Sequence, residues 1–554
     1  MDREEHPWWQ KTTVYQVYPR SFFDSNGDGI GDLQGVIQKL DYLQWLGVET
    51  LWLTPFFDSP DRDFGYDIRD YRKVSDNMGT WPDFLALLFE VKKRGLRLVL
   101  DLVLNHTSDE HPWFQQALKD PKSEKRGYYL FAPGRGRGKP PNNWRSMIGP
   151  SGWQDAGAGD YYFTSFLPFQ PDLNLRNPAV WNEWQRLLTE FLTLGVDGLR
   201  LDIFNALFKD PLFADNPFSF RPLPSEDNPD GFFQRNLHTI NHPDSIEFAR
   251  TLRAFVDSVP GGPRLLVGEV FGPPSLLKKY CGAGEGLHLV FLFKTLGTDF
   301  SAESFYRLLD EYERDFAPPL QPTWVLGNHD RTRYLFRLGN DVRKAKVLST
   351  LQLTARGVPF LYQGEEIGMT QIEIPLAQAL DPLAHRYRFV PPWLARWLRR
   401  RGVLINRDEC RTPFQWSAQQ NAGFSPPGVK PWLPIHPDYP QTNLEAQMHD
   451  PQSLLHHVRN LLGLRKQWSA LCSGTCSLWA KTRLPPGVLG YRRASGQQSV
   501  DVLLNFSEQT RPIQTPGPLI YSSHRQPSNQ PKTRLHPFES ALFAQGSPNG
   551  PHPP

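Results

Sequence analysis

Four short polar groups stand out in this chain because each follows a run of apolar residues: Asn105-His106, Arg200-Leu201-Asp202, Gly268-Glu269 and Asn328-His329-Asp330. Side chains on a strand change side at every residue, so Arg200 and Asp202 leave the same face. A permanent cation then stands beside a carboxylate and should hold it ionised, as a nucleophilic Asp requires. Glu269 ends a wholly apolar strand, where desolvation favours the protonated carboxyl. One ionised carboxylate and one carboxylic acid, about 5 to 5.5 Å apart, are what hydrolysis of a glycosidic bond with retention needs. Taken singly, Arg-x-Asp reads as a strand-end ion pair, Gly-Glu as a cap and Asn-His-Asp as a turn. The chemistry depends on their converging. A metal hydrolase would use similar residue types, but neither His-x-His nor His-Glu-x-x-His spacing occurs.

The elements that would bring them together can be read from periodicity. Strand-like apolar runs lie at residues 13–19, 48–53, 96–104, 198–202, 265–268, 287–293, 323–327 and 358–362. Helical patterns separate them, with stop signals at Gly47, Gly95, Gly195 and Gly357 and start signals at Thr80-Trp81-Pro82-Asp83 and Asn177-Pro178. Strand and helix alternating eight times predicts an α/β chain folded as a (β/α)8 TIM barrel, whose active site is built at the C-terminal ends of the strands. All four polar groups fall at such ends. Residues 106–176 are too long for a simple connection and predict an inserted domain after the third strand. The expected organisation is thus a barrel over 1–105 and 177–476, the insert over 106–176, a C-terminal β-rich domain over 477–546 and a disordered tail over 547–554.

Composition narrows the class. With 39% hydrophobic and 21% charged residues, disorder is excluded for most of the 554-residue chain. The basic runs at 135–139 and 396–401 carry no nucleic-acid fold signature and read as solvated faces, so no nucleic-acid partner is expected. A secretory leader and a membrane-spanning apolar run are both missing, and the four Cys have no paired metal spacing, so a cytoplasmic protein without a membrane partner is expected. The loop Asp24, Asn26, Asp28, Ile30, Asp32 places oxygen ligands at every second residue, as in the first half of an EF-hand calcium loop. Gly35 occupies the place of the bidentate Glu, which leaves Asp32 as the last acid. A structural calcium, or magnesium, is the expected cofactor, with a metal-free turn as the alternative; no organic cofactor is expected.

Residues 101–106 (Asp-Leu-Val-Leu-Asn-His), 198–202 (Gly-Leu-Arg-Leu-Asp), 268–270 (Gly-Glu-Val) and 326–330 (Leu-Gly-Asn-His-Asp) resemble the four signature regions of the α-amylase superfamily, glycoside hydrolase family 13. Residues 170–174 (Gln-Pro-Asp-Leu-Asn) resemble the motif of its oligo-1,6-glucosidase and α-glucosidase branch, and the likeness continues through 364–369 and 411–416. This resemblance implies that Asp202 is the nucleophile, Glu269 the general acid/base and Asp330 the stabiliser of the transition state. It implies that His106 and His329 bind the glucose and that Arg200 orients Asp202. Asp63 would pair with Arg411 over the non-reducing glucose, with Tyr66 stacked on its ring. The implied enzyme is a retaining exo-acting α-glucosidase that cleaves short α-glucosides of the maltose or isomaltose type through a covalent glucosyl intermediate. The alternatives are a transglucosylase or sucrose-isomerase-like enzyme of the same fold, or a non-catalytic partner protein. Its partner is a disaccharide or small oligosaccharide, and a monomer or a dimer would serve. Two clues on linkage oppose each other: Ile203 after the nucleophile resembles the α-1,6 type, whereas the long loop 210–241 resembles the α-1,4 type. The segment 377–404, with Trp393 and Trp397, reads as a surface helix or as part of the substrate entrance.

Overall fold

The computed structural model describes residues 7–225, 227–400, 405–524 and 532–549. The expected tail falls mostly on residues 550–554, outside the described residues. Within its described part, Asn549 donates its backbone N–H to the Gln467 carbonyl (2.8 Å).

Eight short strands carry the architecture: β1 (Val14–Val17), β2 (Thr50–Leu53), β3 (Arg97–Leu102), β4 (Gly198–Leu201), β5 (Leu265–Gly268), β6 (Leu289–Val290), β7 (Thr323–Val325) and β8 (Val358–Tyr362). All but the first residue of β3 are buried, as expected of strands covered on both faces. The helices between them start and stop where the sequence signals them. Helix α1 (Trp81–Lys93) opens on a reciprocal capping box, with Asp83 accepting from the Thr80 backbone N–H (2.7 Å) and Thr80 Oγ1 accepting from that of Asp83 (3.4 Å). Helix α2 (Pro178–Leu194) is capped by Asn177 and closed by Gly195 at φ 105°, a left-handed position that favours glycine. Helix α3 (Val342–Thr354) takes Asp341 as its cap.

The chain divides into two compact bodies. One is made of Trp52–Phe89 and Arg97–Phe291, the other of Glu90–Leu96 together with the residues up to Leu51 and from Leu292 on. In the first, β3, β4, β5 and β6 pair in parallel in that order. The same body holds a three-stranded antiparallel sheet of Phe131–Pro133, Asp160–Phe163 and Trp153–Gly157, with a small core of Ala132, Trp144, Trp153 and Phe163. In the second body β8 pairs in parallel with both β1 and β7. A five-stranded antiparallel sheet runs from Thr475–Leu478 through Val488–Ser495, Gln498–Asn505 and Ser540–Gln545 to Leu519–Ser522. It closes on a core that includes Leu503, Leu535 and Phe543. Against it lies helix α4 (Leu454–Gln467), whose His457 Nδ1 is 2.6 Å from the Tyr521 hydroxyl. Among the described residues no helix is long and apolar enough to cross a membrane.

Candidate active site

Register builds the first cluster. Asp101 on β3 lies opposite Arg200 on β4, which lies opposite Val267 on β5; Asp202 and Glu269 then follow two residues beyond Arg200 and Val267. Because side chains alternate, Asp101, Arg200, Asp202 and Glu269 emerge on one face. The guanidinium of Arg200 is fully buried and donates Nη1 to Asp101 Oδ1 (2.7 Å) and Asp202 Oδ1 (2.8 Å), and Nη2 to Glu269 Oε2 (2.6 Å). The two carboxylates that sequence reading separates by 67 positions are therefore held by adjacent nitrogens of one planar fork. Asp101 Oδ2 in turn accepts from Trp52 Nε1 (3.1 Å) and from the Tyr66 hydroxyl (2.9 Å), while Arg200 lies over the Trp52 ring at 5.1 Å.

Burial dominates the electrostatics of Asp202. It pushes the carboxyl well above the usual range; Arg200 pulls it down, and the neighbouring Glu269 and Asp101 push it further up. The pull expected of Arg200 on the Asp202 carboxyl is present, but burial outweighs it. A guanidinium shared with Asp101 and Glu269 does not offset the cost of withdrawing Asp202 from water. The next residue, Ile203, sits at φ 32° in the left-handed region, an uncommon conformation for a β-branched side chain, and its N–H points to Glu269 Oε2 (3.4 Å).

A second set in the same body surrounds His106, which is buried and lowered from its ordinary pKa by desolvation, against the pull of Asp172 and Asp63. His106 Nε2 lies 3.2 Å from the Tyr66 carbonyl, so that nitrogen carries the proton. Its neighbour Asn105 donates to Asp172 Oδ1 (3.1 Å) and accepts from Lys209 Nζ (2.9 Å), and Lys209 pairs with Asp172 in full burial. This ties the strand end to the 170–174 motif. Gln170 of that motif donates to Asp63 Oδ2 (3.0 Å).

The other body holds the third carboxylate. Asp330 Oδ1 accepts from Arg411 Nη2 (2.6 Å) and Arg407 Nη1 (3.4 Å), and Oδ2 meets His329 Nε2 at 3.0 Å. Burial alone would raise Asp330, but His329, Arg411 and Arg407 together hold it well below the usual carboxylate range. His329 is fully buried, stacks on Tyr18 (5.9 Å between centroids, 15° between planes) and meets Gln16 Nε2 through Nδ1 at 2.6 Å. That nitrogen faces an amide donor, so Nε2 carries the proton given to Asp330. Arg411 also donates Nε to the His329 carbonyl (2.8 Å), and Arg407 is anchored by Asp381 (2.8 Å).

Sequence reading left Asp101, Trp52, Gln16, Tyr18, Lys209, Arg407 and Asp381 without roles. Asp101 alone carried a local signal, as an acid within an apolar strand. In the metal-candidate loop, Asp24 accepts from Gly27 N–H (2.7 Å) and Gly29 N–H (2.9 Å), Asn26 from Asp28 N–H (2.9 Å) and Asp28 from Ile30 N–H (2.8 Å). Asp32 caps the helix Leu33–Gln38 by accepting from Gly35 N–H (2.7 Å). Gly35 stands where a calcium loop carries Glu because a Cβ there would lie 1.9 Å from the Phe23 carbonyl oxygen. Among the described residues, no group of three or more His, Cys, Asp or Glu side chains is set to hold a metal ion. The remaining donors, an amide oxygen and a backbone carbonyl beside the acids, are nonetheless of the hard type that calcium takes.

In the other candidate segment, Arg399 of the helix Pro392–Arg400 is buried and forms an ion pair with Glu409 (2.5 Å), whereas Trp393 and Trp397 are exposed. Residues 401–404 of this segment lie outside the described residues.

Comparison with known proteins adds to this geometry. The family described as alpha amylase, catalytic domain, matches residues 16–474. An oligo-1,6-glucosidase from Parageobacillus thermoglucosidasius is 35% identical over 575 aligned residues, covering 97% of this chain and 99% of the relative. Among solved structures, the alpha-glucosyl transfer enzyme XgtA superposes with a TM-score of 0.87 at 33% identity, covering 98% of this chain and all of the other. The isomaltulose synthase PalI from Klebsiella sp. LX3 superposes at 0.86 with 32% identity, covering 98% of this chain and 100% of its own. The fold shared with these structures is the parallel eight-stranded, nearly closed barrel with a C-terminal β-rich sheet, as the strand–helix alternation predicts.

Proposed function

This chain belongs to the alpha-amylase family and is a glycoside hydrolase, and from that premise we propose that it is a retaining, exo-acting α-glucosidase of short α-glucosides. The observation that carries the reading is the Arg200 fork, which holds Asp202 and Glu269 on neighbouring nitrogens. Asp202 attacks the anomeric carbon while Glu269 protonates the departing glycosidic oxygen. The glycosidic bond breaks and an ester bond to Asp202 forms. Glu269, now a carboxylate, takes a proton from water, whose oxygen attacks the same carbon, releases Asp202 and yields glucose with retained configuration. Asp330, kept anionic by His329, Arg411 and Arg407, has the charge to stabilise the positive character of the ring in the transition state. By family resemblance Tyr66, His106 and His329 contact the glucose, and Asp63 with Arg411 closes over its non-reducing end.

Transfer of the glucosyl group to a sugar hydroxyl is the second reading, favoured by the likeness to an alpha-glucosyl transfer enzyme and an isomaltulose synthase. Only the attacking oxygen differs. We place the protein in the cytoplasm, a reading supported by the free state of Cys281, Cys410, Cys472 and Cys476. A calcium ion in the loop from Asp24 to Asp32 is a structural proposal, supported by the alternation of oxygen donors, and no step of the reaction passes through it.

The test is separate incubation with maltose, isomaltose, sucrose and trehalose, following glucose and new disaccharides over time. Glucose release supports hydrolysis, and new disaccharides support transfer. Faster release from isomaltose than from maltose assigns the linkage preference to Ile203, and the reverse assigns it to the 210–241 loop. Inertness toward all four would sink the α-glucosidase reading.

A further inference from the structure

A cavity of about 560 Å³ lies away from these residues, within the body that contains the C-terminal sheet. Its size falls in the range of small-molecule sites. One wall is a face of α4, where Asn460, Gly463 and Gln467 recur at helical spacing; the other is the strand end at Ile520 and Tyr521.

Three features distinguish it from a packing defect. First, Lys346, Arg459 and Lys466 line it, whereas no Asp or Glu does. None of the three cations has a carboxylate ion pair among the described residues, and the Lys346 ammonium is held by the Gln452 carbonyl (2.5 Å). Arg459 is pre-positioned, stacked on the Trp45 ring at 4.4 Å with its Nε donating to the Trp45 carbonyl (3.0 Å), so its terminal nitrogens remain for a ligand.

Second, Gly463 lies inside a helix, where glycine is unfavourable, yet a Cβ there would meet nothing within 4 Å. Packing does not demand this glycine. Open space above it is what a ligand approaching the helix backbone would use.

Third, the polar wall is fixed. His457 Nε2 faces the Lys346 carbonyl (3.0 Å) and so carries the ring proton, which makes Nδ1 the acceptor of the Tyr521 hydroxyl (2.6 Å). The Tyr521 oxygen keeps its acceptor side for a hydroxyl. Cations set for an anion and a neutral polar wall set for hydroxyls describe one kind of molecule.

We propose that this cavity binds a phosphorylated sugar, its phosphate on Arg459 and Lys466, which both reach the chain at residues 45–47, and its hydroxyls on Tyr521, Asn460 and Gln467. The inference rests on none of the catalytic assignments. It is tested by isothermal titration of the full chain with glucose 6-phosphate, inorganic phosphate and glucose. Glucose 6-phosphate is expected to bind most tightly, and Lys466→Glu and Gly463→Leu should each weaken it about tenfold or more, one by removing a charge-assisted hydrogen bond and the other by filling the cavity. Gly463→Leu should keep or raise the melting temperature, which separates lost binding from lost folding, and both variants should retain glucosidase activity. Absence of binding, or binding that survives both substitutions, would overturn the site. Inorganic phosphate binding as tightly as the ester would overturn the sugar assignment.

Discussion

Replacing Arg200 with lysine separates its charge from its shape. The native guanidinium serves Asp101 and Asp202 through one nitrogen and Glu269 through the other, at 2.6 to 2.8 Å. A lysine ammonium brings the same charge on one atom and cannot occupy both nitrogen positions. At least one charge-assisted hydrogen bond is lost, about 1.5–3 kcal/mol, which is roughly a ten- to hundredfold loss in kcat/KM if the fork sets the transition-state geometry. The sign of the pH effect follows from the same bonds. Arg200 lowers the affinity of Asp202 for its proton, so a weaker contact lets the pKa of Asp202 rise further and moves the acidic limb of the rate profile to higher pH. The assay is kcat and KM for p-nitrophenyl α-glucoside across pH 4 to 9, with the loss expected in kcat. An Arg200→Lys enzyme within threefold of the parent, with an unmoved acidic limb, would refute the argument that geometry, beyond charge, is what Arg200 supplies.

Asp330→Asn tests the other carboxylate through stability as well as rate. Because its folded pKa is depressed, Asp330 contributes stability that is fully present above the ordinary value of ~3.9 and is lost as pH falls through the depressed one; the gap in unfolding free energy between parent and variant should therefore narrow below about pH 4 in urea titrations. Gly35→Ala should destabilise the fold by about 1–3 kcal/mol, since its Cβ meets a backbone carbonyl that cannot rotate away, and an unchanged denaturation midpoint would contradict that crowding. If the loop from Asp24 to Asp32 holds calcium, adding the ion to chelated protein at a hundredfold over Kd should stabilise it by about 2.7 kcal/mol, and Asp28→Ala should abolish that rise in Tm. Ile203→Thr should shift the ratio of isomaltose to maltose hydrolysis toward maltose; an unaltered ratio would remove Ile203 from the account of linkage choice.

Much of the local structure was legible in the sequence because its causes are local. Asn177 before Pro178, Gly195 after the last helical residue and the Thr80/Asp83 pair mark helix ends through bonds that reach only a few residues. The shared direction of Arg200 and Asp202 follows from the two-residue period of a strand, and the contact is there at 2.8 Å. What sequence could not supply is register and burial. Asp101 meets Arg200 across 99 positions and Gln16 meets His329 across 313, distances over which no periodicity carries information. The balance at Asp202 was likewise undetermined: the sequence placed the cation beside it, but only the fold brings two further carboxylates to the same guanidinium and removes them all from water, so desolvation decides the sign. Gly35 makes the same point in reverse. A calcium-loop pattern sets Glu at that place, and a carbonyl folded against it from Phe23 leaves room for no side chain at all.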